Sequence, residues 1–110
     1  RSGYLFSIAQ PDNDGWVDRR VEMSFPATDR FQTAVVQVMR FPSPADLPLT
    51  VTVDGQSSER ALALETTETI RVPLSEARAT TLSLDAPRSF PLAPPDRRSR
   101  SFRLVNIDFE

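Results

Sequence analysis

Three carboxylates and an amide surround a glycine in segment 12–18, DNDGWVD. Hard cations such as calcium bind about six to eight oxygen ligands, which makes Asp12, Asp14 and Asp18 candidate calcium ligands. The segment is not an EF-hand loop, because the glutamate that closes such a loop does not follow at the required position. The alternative is a solvated turn, rich in Asp and Asn, that reverses the chain before a strand. The sequence thus leaves calcium as the one cofactor to consider and otherwise predicts none.

Trp16, in the same segment, is surrounded by the residue types that a sugar site requires. Such sites place an aromatic face against the apolar face of a pyranose ring and polar side chains against its hydroxyls. Trp16 and Tyr4 are the only aromatic residues of the chain with a polar group. Since tryptophan is mostly buried in small domains, packing of Trp16 in the core or at its rim is the alternative. The candidate carbohydrate-binding residues are Tyr4, Trp16, Asp14, Asp18 and Arg20.

A cluster of arginines near the C-terminus is of the kind that can bind phosphates. Its members are Arg97, Arg98, Arg100 and Arg103. Asp96 dilutes the positive charge, only Phe102 is interleaved for base stacking, and the net charge of the chain is −2. The cluster begins in the proline-rich segment 87–101, for which we predict an irregular surface loop. We therefore expect solvated arginines here and no nucleic-acid partner.

Catalysis has few residues available to it. The chain has no histidine and no cysteine, which removes the commonest general base and every Ser-His or Cys-His nucleophile pair. A glycosidase-like pair of carboxylates is the remaining catalytic alternative, but the chain is short and shows no insertion that would form a cleft. We therefore predict that the domain is not an enzyme.

Length and composition predict one globular domain over residues 1–110, since 39% of the residues are hydrophobic and 25% are charged. No apolar run approaches the roughly 18–20 residues that span a bilayer, so we expect no membrane insertion by this segment. The sequence starts at Arg1 with neither an initiator Met nor a signal peptide, which leads us to expect a fragment of a longer protein.

Alternation of apolar and polar residues predicts strands. Val21, Met23 and Phe25 share one parity and have polar neighbours, as in a strand with one buried face. Segment 31–41 is apolar on both faces, which is typical of a central strand. Prolines and glycines separate these runs at roughly eight- to twelve-residue intervals, as in a sandwich or barrel.

Two local signals define connections. Asp54-Gly55 lies between two β-prone runs and predicts a type I′ hairpin turn, in which both central residues need positive φ. We place the second strand of this hairpin at 60–64. In the last strand the apolar parity changes between Leu104 and Val105, which predicts a β-bulge.

These patterns predict an all-β fold, an antiparallel two-sheet β-sandwich of jelly-roll type with about seven or eight strands. An immunoglobulin-like sandwich is the alternative. Because the cysteine pair of antibody domains is missing, the sequence does not separate the two topologies.

Segments at both ends of the chain resemble small jelly-roll accessory domains of bacterial glycosyltransferases and related cell-envelope polysaccharide proteins. The matching segments are 2–4 (SGY), 14–16 (DGW) and 20–26 at the start, and 89–91 (SFP), 95–98 (PDRR) and 102–108 at the end. The resemblance implies a carbohydrate-binding-module-like domain of a bacterial protein, cell-envelope associated or cytoplasmic, with no catalytic residue. The implied partner is carbohydrate or a catalytic domain of the same chain.

Two function hypotheses follow. The first is a non-catalytic accessory module that binds carbohydrate for a catalytic partner. The second is a structural or protein-interaction β-sandwich domain with no small-molecule ligand, which predicts an exposed apolar patch and a buried Trp16. The position of Trp16 relative to the core distinguishes them.

Overall fold

The computed structural model describes residues 5–6, 11–12, 14–42, 47–92, 94–96 and 98–110, and these form β-strands without a helix. None of them belongs to a helix long and apolar enough to cross a membrane. The strands are β1 (Leu5–Phe6), β2 (Trp16–Val17), β3 (Arg20–Phe25), β4 (Thr33–Arg40), β5 (Pro48–Val53), β6 (Gln56–Ala61), β7 (Glu68–Pro73), β8 (Thr80–Asp85), β9 (Phe90–Pro91), β10 (Ser99–Arg100) and β11 (Phe102–Phe109).

Two antiparallel sheets make up the sandwich. The five-stranded sheet has the order β1-β3-β8-β5-β6, and the four-stranded sheet has the order β2-β11-β4-β7. The chain passes from one sheet to the other after β1, β2, β3, β4, β6 and β7, so most sequence neighbours lie in opposite sheets. Seven of the described strands have six or eight residues. The predicted fold class, an all-β antiparallel sandwich of jelly-roll type, is confirmed.

The core lies between the sheets and is formed by residues of one parity along each strand. Val21, Met23 and Phe25 of β3 are fully buried, as their alternation predicts. Phe102 of β11 and Val36 of β4 bury their side chains from the opposite sheet. Burial of a side chain of this size contributes about 1.5–3 kcal/mol. The prediction that segment 31–41 holds a central strand is confirmed, because β4 lies between β11 and β7.

The two local signals of the sequence are confirmed with one change of boundary. Asp54 and Gly55 have φ of 48° and 86°, and they join β5 to β6 with Val53 opposite Gln56. The second hairpin strand therefore starts at Gln56 rather than at residue 60. In β11 the register to β4 shifts between Leu104 and Asn106, which places the predicted bulge at residue 105.

The prediction of an irregular loop over 87–101 is wrong in part. Phe90–Pro91 and Ser99–Arg100 pair as a short antiparallel hairpin, β9–β10, with Arg100 opposite Phe90. A strand of two residues is too short to show an alternation that the sequence could reveal. Contacts with residues distant in sequence hold this hairpin in place.

Candidate functional site

The turn before β2 fixes the start of the candidate site. Gly15 N donates to Asp12 O at 2.9 Å, and Asp12 N donates to Trp16 O at 2.8 Å. Gly15 has φ of 89°, and a Cβ at this position would lie 2.6 Å from the carbonyl oxygen of Leu104. Only glycine allows the turn to approach β11 so closely, where Leu104 N donates to Gly15 O at 2.8 Å. The turn thus sets Asp14 and Trp16 against the last strand.

Five side chains from this turn and from segment 96–100 form a closed ion-pair cluster. Arg98 contacts Asp12 at 3.0 Å and Asp96 at 2.9 Å. Arg100 contacts Asp14 at 3.2 Å and Asp96 at 3.6 Å. The contacts with Asp12 and Asp14 join residues 86 positions apart in sequence and so anchor the N-terminal turn to β10 and the residues before it. Of the four clustered arginines, Arg98 and Arg100 bind carboxylates, and the largely buried Arg100 corrects the expectation of a solvated side chain. Arg103 is exposed, as expected, and Arg97 lies outside the described residues.

Electrostatics within the cluster favour its charged form. The backbone N–H of Arg98 donates to Asp96 at 3.0 Å, and its guanidinium donates to the same carboxylate. These hydrogen bonds, the backbone one foremost, hold the pKa of Asp96 below its ordinary value. In return, the hydrogen bond that the Arg98 guanidinium donates to Asp96 raises the pKa of Arg98. Both shifts in pKa favour the ionised form of the pair.

An aromatic group lies beside the ion-pair cluster. The Trp16 and Phe41 rings meet edge to face, with centroids 5.9 Å apart, and Phe41 stacks on Phe90 at 5.4 Å. The Arg100 guanidinium carbon lies 5.3 Å from the Trp16 ring centroid, a cation–π contact. Arg100 is 11% exposed, and its Nε is buried without a hydrogen-bond partner among the described residues. The β9–β10 hairpin is thereby packed against the end of the four-stranded sheet.

Trp16 lies on the outer side of the four-stranded sheet, facing away from the five-stranded sheet. It pairs with the exposed Arg103 in the β2–β11 register, whereas the next residue, Val17, is 1% exposed in the core. Trp16 itself is half-buried. The Trp16 side chain therefore lies outside the core between the sheets, where Phe41 and Arg100 pack against its ring.

The predicted sugar-site residues are only partly brought together. Asp14 and Trp16 are adjacent in the turn, where Trp16 N donates to Asp14 Oδ1 at 3.4 Å. Asp18 is exposed and forms no ion pair with the described residues. Tyr4 lies outside the described residues.

Arg20, the fifth predicted residue, belongs to the other sheet. It begins β3 and pairs with Glu22 at 3.1 Å and with Asp85 at 3.3 Å. These contacts lie on the outer side of the five-stranded sheet. Arg20 is close to Trp16 in sequence but lies in the other sheet, because the chain changes sheet between β2 and β3.

The three predicted calcium ligands do not converge. Among the described residues, no group of three or more carboxylate-bearing side chains is arranged to hold a metal ion. Arg98 contacts both Asp12 and Asp14, at 3.0 and 3.5 Å, and so offsets part of the negative charge that would attract a cation. Calcium binding by Asp12, Asp14 and Asp18 stays a prediction.

A row of uncharged polar residues, missed by sequence reasoning, crosses the outer side of the four-stranded sheet. Thr69, Gln37 and Asn106 lie opposite one another in β7, β4 and β11. Asn106 is exposed, and Gln37 and Thr69 are half-buried. We call these three residues the polar row. Since they are distant in sequence, only the strand register reveals that they are neighbours.

The outer side of the five-stranded sheet differs, because its polar side chains bind one another. Ser83 donates from its hydroxyl to Glu22 at 3.1 Å, and the Thr52 and Ser57 hydroxyls are 2.8 Å apart. Together with the ion pairs of Arg20, these contacts bind many polar side chains of that face to one another.

No protein-family model matches the chain, and no curated protein matches it in sequence. Solved structures are similar in fold. The C-terminal domain of EclA, a sugar-binding protein, superposes with a TM-score of 0.56 at 11% identity, over 97% of this chain and 76% of that one. A family 35 carbohydrate-binding module from an environmental isolate gives 0.52 at 15% identity, over 100% and 93% of the two chains.

A family two carbohydrate esterase from Clostridium thermocellum, solved in complex with cellohexaose, gives a TM-score of 0.52 at 16% identity. The match covers 98% of this chain but 31% of the esterase, so the chain spans under a third of that enzyme's length. At these identities the likeness shows the fold. The chain has the jelly-roll sandwich found in carbohydrate-binding modules.

Proposed function

We propose that this domain is a non-catalytic accessory module that binds carbohydrate. The observation that carries the proposal is the position of Trp16 on the outer side of the four-stranded sheet, half-buried and outside the core. Small domains normally use tryptophan to fill their interior. A tryptophan kept at the surface, with its ring orientation fixed by Phe41 and Arg100, suits stacking against a sugar ring.

The fixed orientation of the ring favours binding. Ordering a side chain on association costs about 0.5–1.5 kcal/mol for a side chain with many rotamers. Contacts with Phe41 and Arg100 already order the Trp16 ring in the folded protein, so the exposed part of the indole is preorganised for binding. The shared fold with a family 35 carbohydrate-binding module and with a sugar-binding protein is consistent with this role.

In its finer form, the proposal places the module in a glycosyltransferase-like or cell-envelope polysaccharide protein. There it would keep glycan close to a catalytic domain of the same chain. This part follows from the resemblance of segments 14–16 and 95–98 to accessory domains of such proteins. Co-purification of the full-length parent protein with its polysaccharide, with and without this domain, tests it.

Intrinsic fluorescence provides the direct test, because Trp16 is the only tryptophan. We expect a saturable change in its emission when the domain is titrated with neutral oligosaccharides such as cellohexaose, xylohexaose and mannohexaose. The Trp16→Ala variant has no tryptophan emission, so its binding is measured by amide NMR. We expect it to bind at least tenfold more weakly than the wild type. Phe31→Ala is the matched control, since Phe31 is an exposed aromatic residue that packs on Phe109, away from the Trp16 site.

A flat response across a broad panel of envelope and plant-wall oligosaccharides would contradict the proposal. The domain would then be a structural or protein-interaction module, the alternative that the sequence left open. Equal loss of affinity in Trp16→Ala and Phe31→Ala would point to general destabilisation and would also count against a Trp16 site.

A further inference from the structure

The polar row offers hydrogen-bonding groups that the protein does not use. No side-chain hydrogen bond joins Gln37, Asn106 or Thr69 to another described residue. Each amide supplies two N–H donors and a carbonyl acceptor, and the threonine hydroxyl supplies both functions. Half-buried polar groups that lack a protein partner are satisfied by water or by a ligand. The row thus presents a continuous line of donors and acceptors.

Charged residues around the row have partners within the protein. Arg103 donates from Nε to the carbonyl oxygen of Asp14 at 3.0 Å. Arg71 pairs with Glu110 at 2.6 Å, and Asp108 accepts the backbone N–H of Phe109. The two arginines and the two acidic side chains carry no net charge, so the polar row offers neutral hydrogen bonding in surroundings of balanced charge. That chemistry favours a polyhydroxylated, uncharged ligand over a phosphate or an acidic peptide.

The row and Trp16 lie on the same side of the four-stranded sheet. Neighbouring strands are about 4.8 Å apart, so the row extends over about 10 Å from β7 to β11. Val105, the unpaired bulge residue, is 42% exposed and lies between Arg103 and Asn106 along β11. It adds exposed apolar surface along β11 between Asn106 of the polar row and Arg103, which lies opposite Trp16.

We propose that the polar row is the binding strip for a neutral oligosaccharide that lies across β7, β4 and β11 and extends towards Trp16. Gln37 and Asn106 bind its hydroxyls through their amides, and Thr69 binds it through its hydroxyl. The inference rests on the proposed function and adds to it a ligand class and three residues that determine specificity. It predicts that a neutral hexasaccharide binds more tightly than a disaccharide, because only the longer chain reaches both parts of the surface.

The test uses cellohexaose, xylohexaose, mannohexaose and, as a charged probe, hexagalacturonic acid. Calorimetry and amide NMR are applied to the wild-type domain and to the double variant Gln37→Ala, Asn106→Ala. We expect the double variant to bind the preferred neutral hexasaccharide about tenfold or more weakly, the loss expected for two neutral hydrogen bonds. Its thermal unfolding is expected to match that of the wild type.

Two threonines give a matched control. Thr69 lies in the polar row and its hydroxyl has no described partner, whereas the Thr52 hydroxyl on the other sheet lies 2.8 Å from that of Ser57. Thr69→Val is expected to weaken hexasaccharide binding about threefold, and Thr52→Val is expected to leave it unchanged.

The outcomes separate this inference from the proposed function. Saturable Trp16 fluorescence changes with unaltered affinity in the double variant would overturn the strip and leave the carbohydrate module in place. Tighter binding of hexagalacturonic acid than of every neutral probe would overturn the assignment of a neutral ligand. No response of either Trp16 or the row to any probe would contradict both.

Discussion

The two outer faces of the sandwich use their polar residues in different ways. On the five-stranded sheet, Ser83 binds Glu22 and the hydroxyls of Thr52 and Ser57 contact each other. On the four-stranded sheet, the polar row of Thr69, Gln37 and Asn106 has no such internal partner among the described residues. A face whose polar groups bind one another contributes to stability, whereas a face with free groups can exchange water for a ligand.

The same contrast applies within the four-stranded sheet. Its end near Trp16 is closed by the ion pairs of Arg98 and Arg100, which anchor the hairpin β9–β10. Its centre, formed by the polar row, is open. The closed end orients the aromatic side chain, and the open centre offers specificity. Clusters of charge in a sequence are thus poor guides to a binding surface when the charges bind each other.

The largest expected effect comes from the two glycine turns, one in each sheet. Gly15→Ala combines positive φ with a Cβ 2.6 Å from the Leu104 carbonyl oxygen, so we expect about 3 kcal/mol of destabilisation. Gly55→Ala has the same sign of φ but open space around the new Cβ, so about 1–2 kcal/mol is expected. Chemical denaturation of both variants measures the difference. Equal losses would show that the close approach of the turn to β11 is unimportant.

A smaller effect is expected when an internal partner is removed from the five-stranded sheet. Ser83→Ala deletes the hydroxyl that donates to Glu22, and about 1 kcal/mol of stability should be lost. Oligosaccharide affinity should stay unchanged, since this face is not part of the proposed site. Denaturation curves and calorimetric titration of the variant check both statements. A fall in affinity without unfolding would remove the distinction between the faces.

The smallest effect is expected in the pH dependence of stability that Asp96 contributes through the ion-pair cluster. Because the pKa of Asp96 is lowered in the folded state, its contribution to stability is present above the unfolded pKa of about 3.9. That contribution is lost as the pH falls through the lower, folded pKa. Thermal unfolding of wild type and Asp96→Asn between pH 2 and pH 7 should therefore differ at neutral pH and converge in acid. Glu76→Gln, which removes an exposed carboxylate without an ion pair among the described residues, is the control and should leave the unfolding temperature at neutral pH unchanged. A pH-independent difference would contradict the assignment.

Much of the fold could be predicted because its signals are local. The alternation of Val21, Met23 and Phe25 identifies β3, and Asp54-Gly55 specifies the hairpin turn. Even the bulge was predictable, since the change of parity between Leu104 and Val105 requires an extra residue if Leu104 and Ile107 are both to face the core. These are consequences of backbone geometry that act within a few residues.

The short hairpin β9–β10 and the fate of the charged residues could not be predicted in this way. Arg98 and Arg100 bind carboxylates more than eighty residues away, and Arg20 lies in a different sheet from Trp16. Sequence proximity suggested one site containing Asp14, Trp16 and Arg20. Chain crossing between the sheets separates Arg20 from the other two.

The sequence by itself determined the strand pattern, the turn at Asp54-Gly55, the bulge and the composition that excludes histidine and cysteine chemistry. Only the tertiary structure decided which polar residues bind one another and which remain free. Thr69, Gln37 and Asn106 are neighbours because antiparallel pairing aligns three strands that are far apart in the chain. The physical reason is that periodicity encodes which side of a strand a residue occupies, whereas pairing between strands determines its neighbours on that side.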